Sequence, residues 1–232
     1  MRWLLLLVAA CKQAPPAEPC PHPVLIVTAM QDEMAPIAAR MQHGNACVRL
    51  AVVGVGPQLA TRYAEQALAA GDVSAIVMAG IAGGVARDVR VGDVTVPARW
   101  SRHDRAEHWL DADRALLAHA AAAHPALRGC HDTSVCGAEP RILLGGNGVT
   151  GAWFVAEPAA ADDLAHRLAA QVTDMETAAV AEVAQRRGVP FVAVRAVSDL
   201  VWTGHSRDLI AAYDELAADN AAAVTEALLR SP

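Results

Sequence analysis

Ser74-Ala75-Ile76-Val77-Met78-Ala79-Gly80-Ile81-Ala82-Gly83-Gly84 is the stretch that decides the fold. Residues 74–79 are apolar almost without interruption, which predicts a strand covered on both faces. The run closes in a small-residue turn at 79–84. Working outward, the same pattern recurs at residues 24–29, at 48–53 before Gly54, at 91–96, at 141–144 and at 191–196 before Ser198-Asp199. Helical stretches are predicted over 34–41, 58–70, 112–123, 164–170, 174–187 and 209–229. The Gly188-Val189-Pro190 step stops the fifth of them. Strands alternating with helices predict an α/β fold with a largely parallel or mixed sheet. No internal repeat or second domain is evident. In such sheets ligands collect at the carboxyl ends of strands, where the glycine and acidic residues of this chain also gather.

Composition narrows the function. Of 232 residues, 54% are apolar and 19% charged, which excludes a disordered, collagenous or coiled-coil chain and leaves enough apolar surface for a sizeable core. Aromatics are 4%, so that core must be built from Ala, Val, Leu and Ile. The net charge of −6, without a basic cluster, argues against nucleic acid as a partner and favours small-molecule chemistry.

The first 23 residues read as a leader and tether, with the folded domain at 24–232. Met1-Arg2 precede an apolar run over 3–10, too short to cross a bilayer, which needs about 20 residues. Val8-Ala9-Ala10-Cys11 resembles the lipobox of bacterial lipoproteins, in which the cysteine is lipidated; the ten residues before Cys11 are fewer than such signals carry, and a fortuitous apolar start is the other reading. Pro15, Pro16, Pro19, Pro21 and Pro23 make the following stretch an extended tether. A periplasmic or cell-surface lipoprotein is expected, with a cytoplasmic protein as the alternative. Setting Cys11 aside, Cys20, Cys47, Cys130 and Cys136 are an even set compatible with disulfides. Cys130 and Cys136 flank a short polar segment and could close a loop. They lack zinc-site spacing, and His131 reads as solvated; no metal is expected.

Four segments stand at strand ends: residues 29–34 (A-M-Q-D-E-M), 79–84 (A-G-I-A-G-G), 174–179 (D-M-E-T-A-A) and 194–199 (V-R-A-V-S-D). Singly, each has a plain structural reading. Acidic residues after a strand cap helices, and a lone glycine-rich turn completes no nucleotide-binding pattern. Glu176 stands apart, since a carboxylate among Met, Ala and Val needs a partner if its face is buried.

Together the segments resemble the 5′-methylthioadenosine/S-adenosylhomocysteine nucleosidase branch of the nucleoside phosphorylase superfamily. Its A-M-E-E-E-V pattern appears as residues 29–34, its glycine turn and V-G-D-[IV]-V-V as 79–84 and 91–96, its M-E-[AS]-x-A-[IV]-A as 175–181, and its P-F-V-x-[VI]-R-[AG]-[IV]-S-D as 190–199. The tail at 213–221 is similar to the family's closing helix. The resemblance covers residues 24–229 and implies a single three-layer α/β/α domain around a mixed, largely parallel sheet. It also implies hydrolysis of the N-glycosidic bond of a purine nucleoside, no cofactor, and a homodimer. It assigns catalysis to Glu33, Glu176 and Asp199, and substrate contacts to Met30, Gly83, Trp153, Phe154, Met175, Glu176, Ser198 and Tyr213. Trp153 lies 22 residues before Met175, the spacing of the family's adenine-stacking aromatic; a loop anchor packed on the core is its other reading.

The chemistry accounts for these residue types. Cleavage leaves positive charge on the ribose and negative charge on the purine. Asp199, oriented by Ser198, would protonate the leaving base; Glu33 would take a proton from the attacking water; Glu176 would accept from the ribose hydroxyls, with Met175 packed on the sugar. Phosphorylase relatives carry an arginine just upstream of the turn after the third strand, where this chain has Met78 and Ala79. The acidic Gln31-Asp32-Glu33 would repel phosphate, so hydrolysis is expected. The loop after His103-Asp104 is short, with Trp109 its one aromatic, and the 41–48 connection is trimmed; Tyr213 remains to cover the 5′ end. Another 5′-modified purine nucleoside as substrate, or a tethered nucleoside-binding lipoprotein without turnover, are the competing readings.

Overall fold

In the computed structural model of the chain, residues 20–42, 47–105 and 108–230 are described. Cys11, most of the leader and tether, and much of the trimmed 41–48 connection lie outside them. Ten strands and six helices follow one another among the described residues. They begin with β1 (Val24–Thr28), α1 (Gln31–Met41), β2 (Val48–Val52), α2 (Pro57–Ala69) and β3 (Ala75–Gly84). Next come β4 (Val94–Val96), β5 (Arg99–Arg102), β6 (Leu110–Asp111), α3 (Arg114–Ala122), β7 (Ile142–Leu144) and β8 (Asn147–Thr150). The chain ends with α4 (Pro158–Leu168), β9 (Ala170–Asp174), α5 (Thr177–Arg187), β10 (Phe191–Leu200) and α6 (Ser206–Arg230).

The strands form one mixed sheet with β3 and β10 at its centre. β3 pairs in parallel with β1 along its first half and with β10 along nearly its whole length, then meets β9 antiparallel at Gly83-Gly84. Side chains alternate across it as the pleat requires. Ile76 and Met78 pack with α2 and α5, whereas Val77 and Ala79 face the layer of α1, α3 and α6. Both faces are covered, which is why these strands read as unbroken apolar runs. The helices reach the sheet with alanines (Ala178, Ala179, Ala181 and Ala184 on α5; Ala217, Ala221 and Ala222 on α6). Small side chains there let the helix axes approach closely and offset the scarcity of aromatics.

Several element boundaries differ from the sequence reading. β3 and β10 do not stop at residues 79 and 196; they run on through Ala79–Gly84 and Val197–Leu200, and the glycine-rich segment is extended strand paired with its neighbour rather than a turn. The fourth strand is confined to Val94–Val96, because Gly92 has φ +88° and its N–H donates to Val197 O. The helix expected from residue 164 starts at Pro158, where a proline at the first helical position is pre-organised. Asp174 ends β9 instead of opening a helix; α5 begins at Thr177. Strands β5, β6, β8 and β9 were not anticipated. Both disulfides are formed, Cys20 with Cys47 and Cys130 with Cys136, with Cα separations of 5.8 and 6.1 Å. No helix among the described residues is long and apolar enough to cross a membrane.

Candidate active site

The carboxyl ends of β1, β3, β9 and β10 converge; β1, β9 and β10 each lead to or carry one or more buried charged groups, and β3 lends its backbone and glycines. Glu33, in the first turn of α1, spans two elements with one carboxylate. Its Oε2 accepts from the N–H groups of Ala29 and Met30 (2.8 and 2.9 Å), capping its own helix. Its Oε1 accepts from the N–H of Ile81 on β3 (2.8 Å). The capping role and the candidate catalytic role therefore coincide in one side chain. Burial raises the Glu33 pKa against the opposing pull of Arg195 and the three N–H donors. Gly80 is what admits it: a Cβ there would stand 2.2 Å from Glu33 Oε1 and 2.8 Å from Arg195 Nη1, and its φ of +146° suits glycine.

Arg195 was quoted in the sequence motif without a role, and it is the centre of the cluster. Its guanidinium is fully buried, 3.0 Å from Asp174 Oδ2, 3.4 Å from Glu176 Oε2 and 3.9 Å from Glu33 Oε1. Desolvation works against its charge, but Asp174, Glu33 and Glu176 together outweigh that and raise its pKa. An arginine inside an otherwise apolar strand was the available signal, since a buried cation needs anions around it. Asp174, which the sequence motif gives no role, is the nearest partner of Arg195. It accepts from Thr150 Oγ1 (2.6 Å), from Thr177 Oγ1 and, more weakly, from the N–H groups of Glu176 and Thr177.

Glu176 has the partners its burial demands. Oε1 accepts from the Gly56 N–H (2.8 Å) at the start of α2, and Oε2 faces Arg195. Desolvation, reinforced by repulsion from Asp174 and opposed by Arg195, pushes its pKa up to about 7. Met175 beside it is half-buried.

Asp199 lies on the extension of β10 opposite Gly83, where a Cβ would come 3.4 Å from Asp199 Oδ2 and 2.9 Å from Val201. Ser198 Oγ donates to Asp199 Oδ1 (2.8 Å), the orientation expected from sequence. Ser206 Oγ faces the same carboxyl without an aligned hydrogen bond, and Oδ2 has no partner. Burial raises the Asp199 pKa, with both serines pulling it back. Ile81, whose N–H Glu33 accepts, and Gly83, the register partner of Asp199, stand two residues apart on β3.

A cleft of about 500 Å³ opens beside Glu33, bordered by Met30, Asp32, Ile81, Ile210 and Asp214. Tyr213 is not on its border; the ring is half-buried against the main core, so it does not cover this cleft. Trp153 and Phe154 are 63% and 39% exposed on the loop after β8. His103 meets the Trp153 ring edge-on at 6.2 Å, and Arg207 lies 5.9 Å from the centre of Phe154. Exposure to this degree removes the core-anchor reading of Trp153. Trp109 is covered by Arg99 at 4.4 Å. A larger cavity, about 600 Å³ beside α3 and the Cys130–Cys136 loop, holds none of these residues. Among the described residues no group of three or more His, Cys, Asp or Glu is disposed to hold a metal ion.

Comparison with known proteins adds an independent line. The sequence model of the phosphorylase superfamily matches residues 23–230. A 5′-methylthioadenosine/S-adenosylhomocysteine nucleosidase of Chromohalobacter salexigens is 30% identical over 182 residues, covering 76% of this chain and 77% of that protein. Among solved structures, the nucleosidase of the same name from Neisseria meningitidis, in complex with methylthio-immucillin-A, superposes with a TM-score of 0.77 at 20% identity, over 90% of this chain and 99% of that one. Futalosine hydrolase of Helicobacter pylori superposes with a TM-score of 0.76 at 21% identity, over 90% and 97%.

Proposed function

The chain belongs to the phosphorylase superfamily, and from that premise we propose that it is an N-glycosyl hydrolase releasing adenine from 5′-methylthioadenosine, S-adenosylhomocysteine or a related purine nucleoside. The observation that carries this reading is the pair of buried carboxyls Glu33, held by the Ile81 N–H of β3, and Asp199, opposite Gly83 of the same strand, with Glu176 joined to Glu33 through Arg195. Water held by ionised Glu33 adds to C1′ and gives Glu33 its proton. The C1′–N9 bond breaks, and Asp199 donates a proton to the departing purine. Glu176 accepts hydrogen bonds from the ribose hydroxyls as the sugar becomes cationic. Water rather than phosphate as nucleophile is supported by the charge balance. Among the described residues Arg195 is the one cation paired with Glu33 and Glu176, and Asp174 already shares it with them.

The cleft beside Glu33 favours a second reading within the same chemistry. Among the described residues it is bordered by Met30, Ile81 and carboxylates and by no aromatic side chain, so a purine nucleoside carrying a different 5′ substituent is the alternative substrate. Extracytoplasmic location as a Cys11-anchored lipoprotein is supported by the two disulfides, which persist in oxidising compartments. A homodimer is supported by family membership and by the exposed apolar side chains of Val55, Leu59 and Tyr63 at four-residue spacing on and just before α2.

The test is base release by purified protein from 5′-methylthioadenosine, S-adenosylhomocysteine, adenosine and futalosine, beside Glu33→Gln and Asp199→Asn. Release by the wild type, reduced on the order of 10²–10⁴-fold in each variant, is expected. Tight nucleoside binding without turnover would make the protein a binding lipoprotein instead.

A further inference from the structure

We propose that Asp174 is a positioning residue: its carboxylate clamps the Arg195 guanidinium at the one point from which a single cation serves both Glu33 and Glu176. The inference rests on the hydrolase reading for its consequence in catalysis, but on geometry alone for the clamp. Of the three carboxylates around Arg195, Asp174 is the nearest, at 3.0 Å, against 3.4 Å for Glu176 and 3.9 Å for Glu33. It is also the most firmly held. Thr150 Oγ1 donates to Oδ1 at 2.6 Å, Thr177 Oγ1 donates to Oδ2, and Thr150 in turn accepts from the Ala178 N–H at the start of α5. Glu33 and Glu176, by contrast, are held by backbone N–H groups of other elements, so neither needs Arg195 for its place. The guanidinium Nε has no partner, and Nη1 is 3.4 Å from Ala79 O. Asp174 is therefore the group that decides where this cation sits.

The clamp has an electrostatic consequence. Asp174 repels the Glu176 carboxylate directly, which favours a proton on Glu176, while the guanidinium it positions opposes that effect. The charged groups facing the pair are Glu33 from α1, Arg195 from β10, Glu176 from the start of α5, and His103, whose pKa Asp174 draws upward against a larger lowering by burial. A merely structural Asp174 would act as a helix cap through its oxygen acceptors, and asparagine caps as well as aspartate. The substitution Asp174→Asn therefore keeps the cap and removes the charge.

The experiment compares wild type, Asp174→Asn and Asp174→Glu by carbon-detected NMR titration of labelled glutamate carboxyls, with Glu176→Gln to assign the signal, and by kcat/KM on a nucleoside the wild type cleaves. We expect the Glu176 titration in Asp174→Asn to move down by about 1 pH unit or more. We also expect kcat/KM to fall on the order of 100-fold through the displaced guanidinium. Asp174→Glu, which keeps the charge, restores the wild-type Glu176 titration. An unmoved Glu176 titration, or an unchanged kcat/KM on a cleaved nucleoside, overturns the proposal, because removing the charge must move the first and displacing the guanidinium must lower the second. Should Asp174→Asn not fold, Thr177→Ala, which removes one donor and leaves the charge, is read by the same titration; it is expected to shift it, and no shift overturns the clamp. If the wild type cleaves no nucleoside, the hydrolase reading fails, while the titration still decides the role of Asp174.

Discussion

Glu33 accepts three backbone N–H groups and faces a guanidinium, yet its pKa is raised, because burial outweighs them all. A water-activating carboxylate must be ionised, so kcat/KM is expected to climb with pH through a limb lying above the ordinary glutamate value of 4.5. Glu33→Gln should remove that limb along with most of the rate; a wild-type profile already flat at pH 4.5 would contradict the assignment. Glu176 makes the complementary prediction for stability. Its folded-state pKa of about 7 exceeds the unfolded value near 4.5, so the folded state holds the proton more tightly. The stability this contributes is complete below about pH 4.5 and is lost as pH rises towards about 7. Glu176→Gln cannot ionise. Thermal unfolding across that window is expected to show the variant gaining on the wild type as pH rises, and parallel curves would refute it. Of the candidate site residues, Glu33, Glu176 and Asp199 could be named from sequence only through the family motifs they stand in, since a single carboxylate after a strand reads as a helix cap. Arg195 and Asp174 were not legible, because their meaning lies in each other. They stand 21 positions apart in sequence, and only the β9 and β10 pairings with β3 bring them together.

At the scale of elements, the strands legible in the sequence are those buried on both faces, such as Val24–Thr28 and the first halves of Ala75–Gly84 and Phe191–Leu200. Arg99–Arg102, Asn147–Thr150 and Ala170–Asp174 carry polar and charged residues and owe their extended form to pairing with one another and with β3. No local periodicity announces such a strand. The extension of β3 through Gly80 and Gly83 was hidden for a related reason: glycine reads as a breaker, whereas here it clears space for Glu33 and Asp199. Even cysteine number left the pairing open, and the fold closes it by bringing Cys20 to Cys47, just before β2. That bridge ties down the start of the domain across a 27-residue separation. Replacing Cys47 with Ser is expected to destabilise by about 2–4 kcal/mol. The check is the urea midpoint with and without reductant; equal midpoints for wild type and variant under oxidising conditions would oppose a structural role for the bridge.

At the scale of the whole molecule, the proposal that this hydrolase works where thiols are oxidised rests on its two disulfides. If Cys11 carries the anchor, Cys11→Ala is expected to move the protein from the membrane fraction to the soluble extracytoplasmic fraction with base release intact. A wild type found unlipidated in the soluble cytoplasmic fraction would end the lipoprotein proposal. The central claim concerns the nucleophile, and it is met most directly by following wild-type base release from 5′-methylthioadenosine across a range of phosphate concentrations while identifying the sugar product. A rate independent of phosphate, with free 5-methylthioribose as the product, is the predicted result. A rate that rises with phosphate, with a sugar 1-phosphate as the product, would contradict the account.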